Sequence, residues 1–235
     1  MNTSDWKQRK QRVEQYFSQA SPPKGFFAAI KHSLSAFWLN MTGKKPADHT
    51  EASRWISEAR HEVHQVARLR LDLTTSSPRR TFAVESPADG AKWYKDKDRR
   101  VRASKMDFTH VFLMDYYIAC YRASYDLAEQ AVMQDETEEF PYAEITGFGT
   151  RMVSTSSFEV ADQDDVRAKL QRRQFQVFTS SNVTLIVPFV VAKVISTGKE
   201  SLEFEDEGND TIIALRKQLV DYKRPQWEKG NEEII

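Results

Sequence analysis

Cysteine is almost missing from this chain, with Cys120 the only one. No intrachain disulfide can form and a cysteine-rich zinc cage is excluded, so a reducing compartment fits best. Long hydrophobic runs are missing as well. The most apolar stretch, Phe26 to Met41, is interrupted by Lys31 and His32 and falls short of the roughly 20 apolar residues that cross a bilayer. Met1 to Lys10 runs polar and basic with no apolar core or small-residue cleavage site behind it, so no secretory signal is expected. Together these absences predict a cytoplasmic protein, with a position peripheral to a membrane as the alternative.

Net charge is lacking too, but only in total. Residues 1–105 hold 21 Lys and Arg against 11 Asp and Glu, a balance of +10, and residues 106–235 hold 13 against 23, a balance of −10. Such asymmetry points to an anionic partner for the first part, or to two parts that dock on each other. What is abundant is material for a core: 40% of residues are hydrophobic, with 14 Phe, 8 Tyr and 5 Trp, which excludes the composition of a disordered chain.

The patterning predicts helices first and strands after. Trp6, Val13, Tyr16 and Phe17 share one helical face, and Ser21-Pro22-Pro23 stops that helix. A second helix is expected from about Gly25 to Met41, carrying an apolar stripe of Phe26, Phe27, Ile30, Leu34, Phe37 and Trp38. A third opens at Thr50 and Glu51 and presents Ala52, Trp55, Ile56, Ala59, Val63 and Val66. Leu69, Leu71 and Leu73 then alternate as in a strand, and the charged run 91–105 reads as a surface helix or connector holding the main boundary, near residue 105. Strand signals fill 108–114, 116–122, 129–133, 142–148, 152–158, 174–179, 183–187 and 190–195, with a bend at Gly147-Phe148-Gly149 and a hairpin turn at Ser180-Ser181-Asn182. Asn209 or Asp210 caps a last helix bearing Ile212, Ile213, Leu215, Leu219 and Tyr222, and residues 225–235 form a tail. The expected class is α+β: a helical basic region over 1–105, then a strand-rich acidic domain over 106–224, a small barrel or sandwich closed by a C-terminal helix.

About seven strands in succession followed by one amphipathic helix is the element order of the pleckstrin-homology-like fold, which residues 106–224 resemble in order alone, without a residue motif. The resemblance implies protein or lipid recognition rather than catalysis. Phosphoinositide binders of that family use a basic loop between the first two strands, where the expected elements leave only Met114-Asp115, so that ligand is not carried over.

Candidate chemistry is thin. His61-Glu62-Val63-His64 spaces its imidazoles by three rather than the four of a metalloprotease helix and has no third ligand nearby, so it reads as a solvated helix face and no metal or other cofactor is assigned. Cys120 and His110 fall on adjacent expected strands; a thiolate beside an imidazole is a nucleophile, but a lone cysteine in an aromatic run is more often packing. Acidic clusters at 135–139, 162–165 and 203–210 lack calcium-loop spacing. Gly147-Phe148-Gly149-Thr150 lacks the remainder of a phosphate loop. The basic run Lys92, Lys95, Lys97, Arg99, Arg100, Arg102 and Lys105, beside Trp93 and Tyr94, can grip phosphates while its rings stack on bases, or serve as a charged connector. The candidate partner-binding residues are therefore Phe26, Phe27, Phe37 and Trp38 on the aromatic stripe and Lys95, Arg99, Arg100 and Arg102 in the basic run. The expected function is a non-catalytic interaction protein, an adaptor or accessory subunit with a protein partner. The alternatives are a metal-dependent hydrolase or nuclease, whose carboxylates meet only in three dimensions, and a nucleic-acid or anionic-lipid binder using 92–105 or 26–45.

Overall fold

The computed structural model describes residues 3–18, 47–95, 101–159, 167–181, 184–193 and 212–222. In chain order the elements are α1 (Thr3–Ser18), α2 (His49–Arg70), β1 (Arg80–Pro87), β2 (Trp93–Lys95), β3 (Val101–Ala103), β4 (Lys105–Leu113), β5 (Tyr117–Asp126), β6 (Ala131–Pro141), a single 3-10 turn (Tyr142–Glu144), β7 (Ile145–Glu159), β8 (Arg167–Thr179) and β9 (Thr184–Lys193). Helix α3 follows over 212–222. The fold is α+β. Its strands form a four-stranded antiparallel sheet in the order β1-β4-β5-β6, a three-stranded one in the order β7-β8-β9, and the small β2-β3 hairpin.

The four-stranded sheet is the middle layer. Even-numbered β4 residues Met106, Phe108 and Phe112, with Ala119, Tyr121, Ala123 and Tyr125 of β5, meet Val13, Tyr16 and Phe17 of α1 and Trp55, Ala59, Val63 and Ala67 of α2 in one buried cluster. Val111 and Leu113, with Ile118 and Cys120, face the other way, into a second cluster with Phe175, Val177, Leu185 and Val187 of the smaller sheet and Ile212, Leu215 and Leu219 of α3. Burial on both faces explains why β4 is almost continuously buried from Met106 to Leu113 and shows no clean alternation of polar and apolar residues. Each large side chain so enclosed contributes roughly 1.5–3 kcal/mol. Of the barrel and the sandwich expected, the sandwich is formed.

Tyr142 joins the two halves. Its backbone N–H donates to Tyr116 O at 2.9 Å, its hydroxyl donates to Met114 O at 3.0 Å, and its ring lies 4.8 Å from that of Tyr222 on α3. The turn that ends the first sheet is thereby tied both to the β4-β5 turn and to the last helix.

Several expectations change. Asp48, rather than Thr50 or Glu51, opens α2, accepting from Glu51 N at 2.8 Å. The Leu69, Leu71 and Leu73 alternation is no strand: α2 runs to Arg70, and the turn beyond it, with Asp72 at φ 50°, is wound back by Leu73 N–H donating to Arg68 O at 2.8 Å, which buries Leu71 and Leu73. The charged run is neither helix nor simple connector but contains the β2-β3 hairpin. The bend at Gly147 does not divide two strands: β7 continues through it, with Gly147 opposite Phe178 after a shift of register between Ile145 and Gly147. Strands expected separately at 183–187 and 190–195 are one strand, β9, with Pro188 in it, a residue that an edge position tolerates. The boundary near residue 105 falls between paired strands, since β1 on one side is matched with β4 on the other from Arg80↔Leu113 to Pro87↔Met106. The aromatic stripe of 26–41, the acidic stretch 203–210 and the tail lie outside the described residues.

Candidate functional site

Between β1 and β4 the chain makes an excursion, residues 88–104, whose outer part is the β2-β3 hairpin. Gly90, at φ +71°, turns the chain out of β1 in a conformation that L residues rarely adopt. The base of the hairpin is clamped by two hydrogen bonds of 2.9 Å, Lys92 N–H to Ser104 Oγ and Ser104 N–H to Lys92 O. Ala103 is buried in the first core, and the next turn donates Leu127 N–H to Ser104 O at 3.0 Å. The hairpin is therefore rooted in the sheet, and α1 lies against β2.

Charge is concentrated on this excursion: residues 92–105 contain seven Lys and Arg and only Asp96 and Asp98 as acids. Register places Tyr94 opposite Arg102 and Lys95 opposite Val101. Lys92 is exposed, whereas Lys105 is drawn back to the fold, 3.4 Å from Asp126. Of the residues expected at a binding site, the structure places Lys95 and Arg102 on this hairpin. Phe26, Phe27, Phe37, Trp38, Arg99 and Arg100 lie outside the described residues, the two arginines in the five-residue connection between the hairpin strands.

Among the described residues, the groups weighed for catalysis are held apart or occupied elsewhere. Cys120 pairs with Val111, and His110 with Tyr121; the thiol belongs to the second cluster, while the His110 ring meets His64 of α2 on the opposite face. A sheet separates the two groups. Burial pushes the Cys120 thiol up to about 12, away from the thiolate that nucleophilic chemistry requires. His61 is exposed, Glu62 accepts from Tyr125 Oη at 2.7 Å, and His64 Nδ1 stands 3.5 Å from His110 Nδ1. Among the described residues no three His, Cys, Asp or Glu side chains group as metal ligands.

One concavity of about 190 Å³ opens on the uncovered part of the central sheet, lined among others by Asp107, Arg122, Ser124, Gln134 and Glu136. Its polar groups hold one another. Ser124 donates to Asp107 at 2.5 Å, and Arg122 bridges Glu136 and Glu138 on β6. The acidic cluster 135–139 is thus largely the outward edge of a β-strand, with Asp135 also 3.0 Å from Arg70. Charged side chains on such an edge discourage pairing with another chain.

No family model, curated protein or solved structure matches the chain. Among the described residues no helix is long and apolar enough to cross a membrane.

Proposed function

We propose that the protein is a non-catalytic recognition module, an adaptor or accessory subunit, that docks on an anionic lipid surface through the β2-β3 hairpin. The observation that carries this reading is the position of the basic run. In the four-stranded sheet the first strand is β1 and the second is β4, so the loop between the first two strands is the basic excursion 88–104 and not Met114-Asp115. The pleckstrin-homology-like resemblance, shifted to residues 80–222, then covers a four-stranded meander, a three-stranded meander and the C-terminal helix in that order, and it puts positive charge where lipid-binding members of that family carry it. Clusters of Lys and Arg attract anionic headgroups within a Debye length of the surface, and Trp and Tyr favour the interface. The acidic excess of residues 106–235 favours a tip-on contact over a duplex laid along the body.

Flotation with vesicles of mixed phosphatidylserine and phosphatidylcholine, against phosphatidylcholine alone, tests the reading. Binding is expected only to the anionic vesicles, weakening as salt rises. Arg99→Glu/Arg100→Glu should lower it by at least about thirtyfold, from roughly 1 kcal/mol per basic residue at the surface. Equal partitioning of the folded wild type between the two vesicle types refutes it. Salt-dependent binding of single-stranded DNA or RNA in place of vesicles, lost in the same variant, replaces it with the nucleic-acid alternative.

A further inference from the structure

One of the polar contacts that join the helical layer to the central sheet is made of two imidazoles, a half-buried one on α2 and a buried one on β4. His64 Nδ1 of α2 stands 3.5 Å from His110 Nδ1 of β4, with ring centroids 5.2 Å apart, and His110 also stacks on Phe112 at 6.2 Å. His110 is 1% exposed, and its Nε2 is buried without a hydrogen-bond partner among the described residues. Two imidazoles meeting through Nδ1 can share one proton between them; a second leaves two donors facing each other. We propose that His64 and His110 are an acid-operated latch: a second proton between the two Nδ1 atoms releases α1 and α2 from the four-stranded sheet while the sandwich between the two sheets stays folded.

The surroundings give an added proton nothing to rest on. From α2 the neighbours that act on the pair oppose an added proton, Arg60 on His110 and Arg68 and His61 on His64. From β1 the residue opposite His110 is Ala83, and the carboxylate two positions on, Glu85, is held by Arg60. From β5 the opposite residue is Tyr121, whose hydroxyl donates to Asp135 at 3.1 Å, and Asp135 is itself bound by Arg70. Burial holds the His110 imidazole down to about 4, and burial followed by Arg68 lowers that of His64. A released His110 returns to its ordinary value of 6.5 and takes up a proton that the docked form refuses. Stability of the docked layer is therefore complete above that value, falls as pH drops toward 4, and levels off below. Among the described residues the histidines are His49, His61 and His64 of α2 and His110 of β4, so none lies on the smaller sheet or on α3 to be protonated in this window.

Hydrogen exchange of the full chain, corrected for the pH dependence of intrinsic exchange, reads the two layers separately. Between about pH 7 and pH 5, His110 alone should raise the opening constant of α2 amides about twentyfold, while β8 and β9 amides around Phe175–Val177 and Leu185–Val187 stay unchanged. His110→Phe should abolish the response, and His110→Leu is the substitute where the larger ring does not fit. An α2 response that survives both substitutions overturns the latch, as does α2 opening in step with β8, or an α2 that does not respond.

Discussion

Replacing Tyr142 by Phe removes one oxygen from the joint between the two sheets and nothing else. The ring, fully buried and lying on Tyr222, is kept; the 3.0 Å hydrogen bond to Met114 O is lost. Met114 N–H donates to Tyr117 O at 3.0 Å, so the backbone there is constrained and its carbonyl cannot turn freely to find water. An unsatisfied buried acceptor costs about 1–3 kcal/mol, and since Met114 is 7% exposed rather than sealed, the lower half of that range, about 1–1.5 kcal/mol, is expected. For a chain of this size that lowers Tm by roughly 2–6 °C. Tyr142→Ala, which also empties the ring's place in the second core, should cost about 3–5 kcal/mol. Urea unfolding of the three proteins with a common m-value is the assay. A Phe variant as stable as the wild type would show that the carbonyl is satisfied elsewhere and that the hydroxyl does not hold the joint; an Ala variant no worse than Phe would show that the ring is not part of the core.

Two further outcomes test the ends of elements. Asp48→Ala deletes the side-chain acceptor for Glu51 N and should lower stability by about 1 kcal/mol, read by thermal melting, with Asp48→Asn close to wild type. Gly90→Ala meets no atom within 4 Å, so its cost comes only from the φ of +71°. About 1 kcal/mol is expected, again by melting, and a neutral result would mean that the turn into the excursion adopts another conformation.

What the sequence displayed and what it concealed divide along physical lines. Val13, Tyr16 and Phe17, and Trp55, Ala59 and Val63, advertise their helices because one face of each is buried and the other solvated, which writes a 3.6-residue period into the chain. Burial on two faces erases the corresponding signal for β4, whose ends were nevertheless nearly right because Thr, Val and Phe favour strands. Leu71 and Leu73 misled because a helix end wound back on itself buries alternate residues just as a strand does. Gly147 and Gly149 suggested a bend, yet the Phe178 ring lies 3.5–3.9 Å from where their side chains would begin, so in this strand they leave room for a neighbouring ring. The least legible feature was pairing across distance. Nothing local in Arg80–Pro87 names Lys105–Leu113 as its partner, and so the basic run between them read as a connector between domains instead of a hairpin set on one sheet. Lys95 and Arg102 could be picked out by charge, but only the register gives them a place.

The separation of Cys120 from Trp55 by a single sheet has a practical use. The sole thiol is sealed in one core and the indole in the other, so alkylation by a small maleimide serves as a clock for the opening of the sandwich alone. Deletions, ligands or solvents that loosen only α1 and α2 leave that clock stopped, and the protein carries, without any engineered label, a means of telling a partial loss of structure from a complete one.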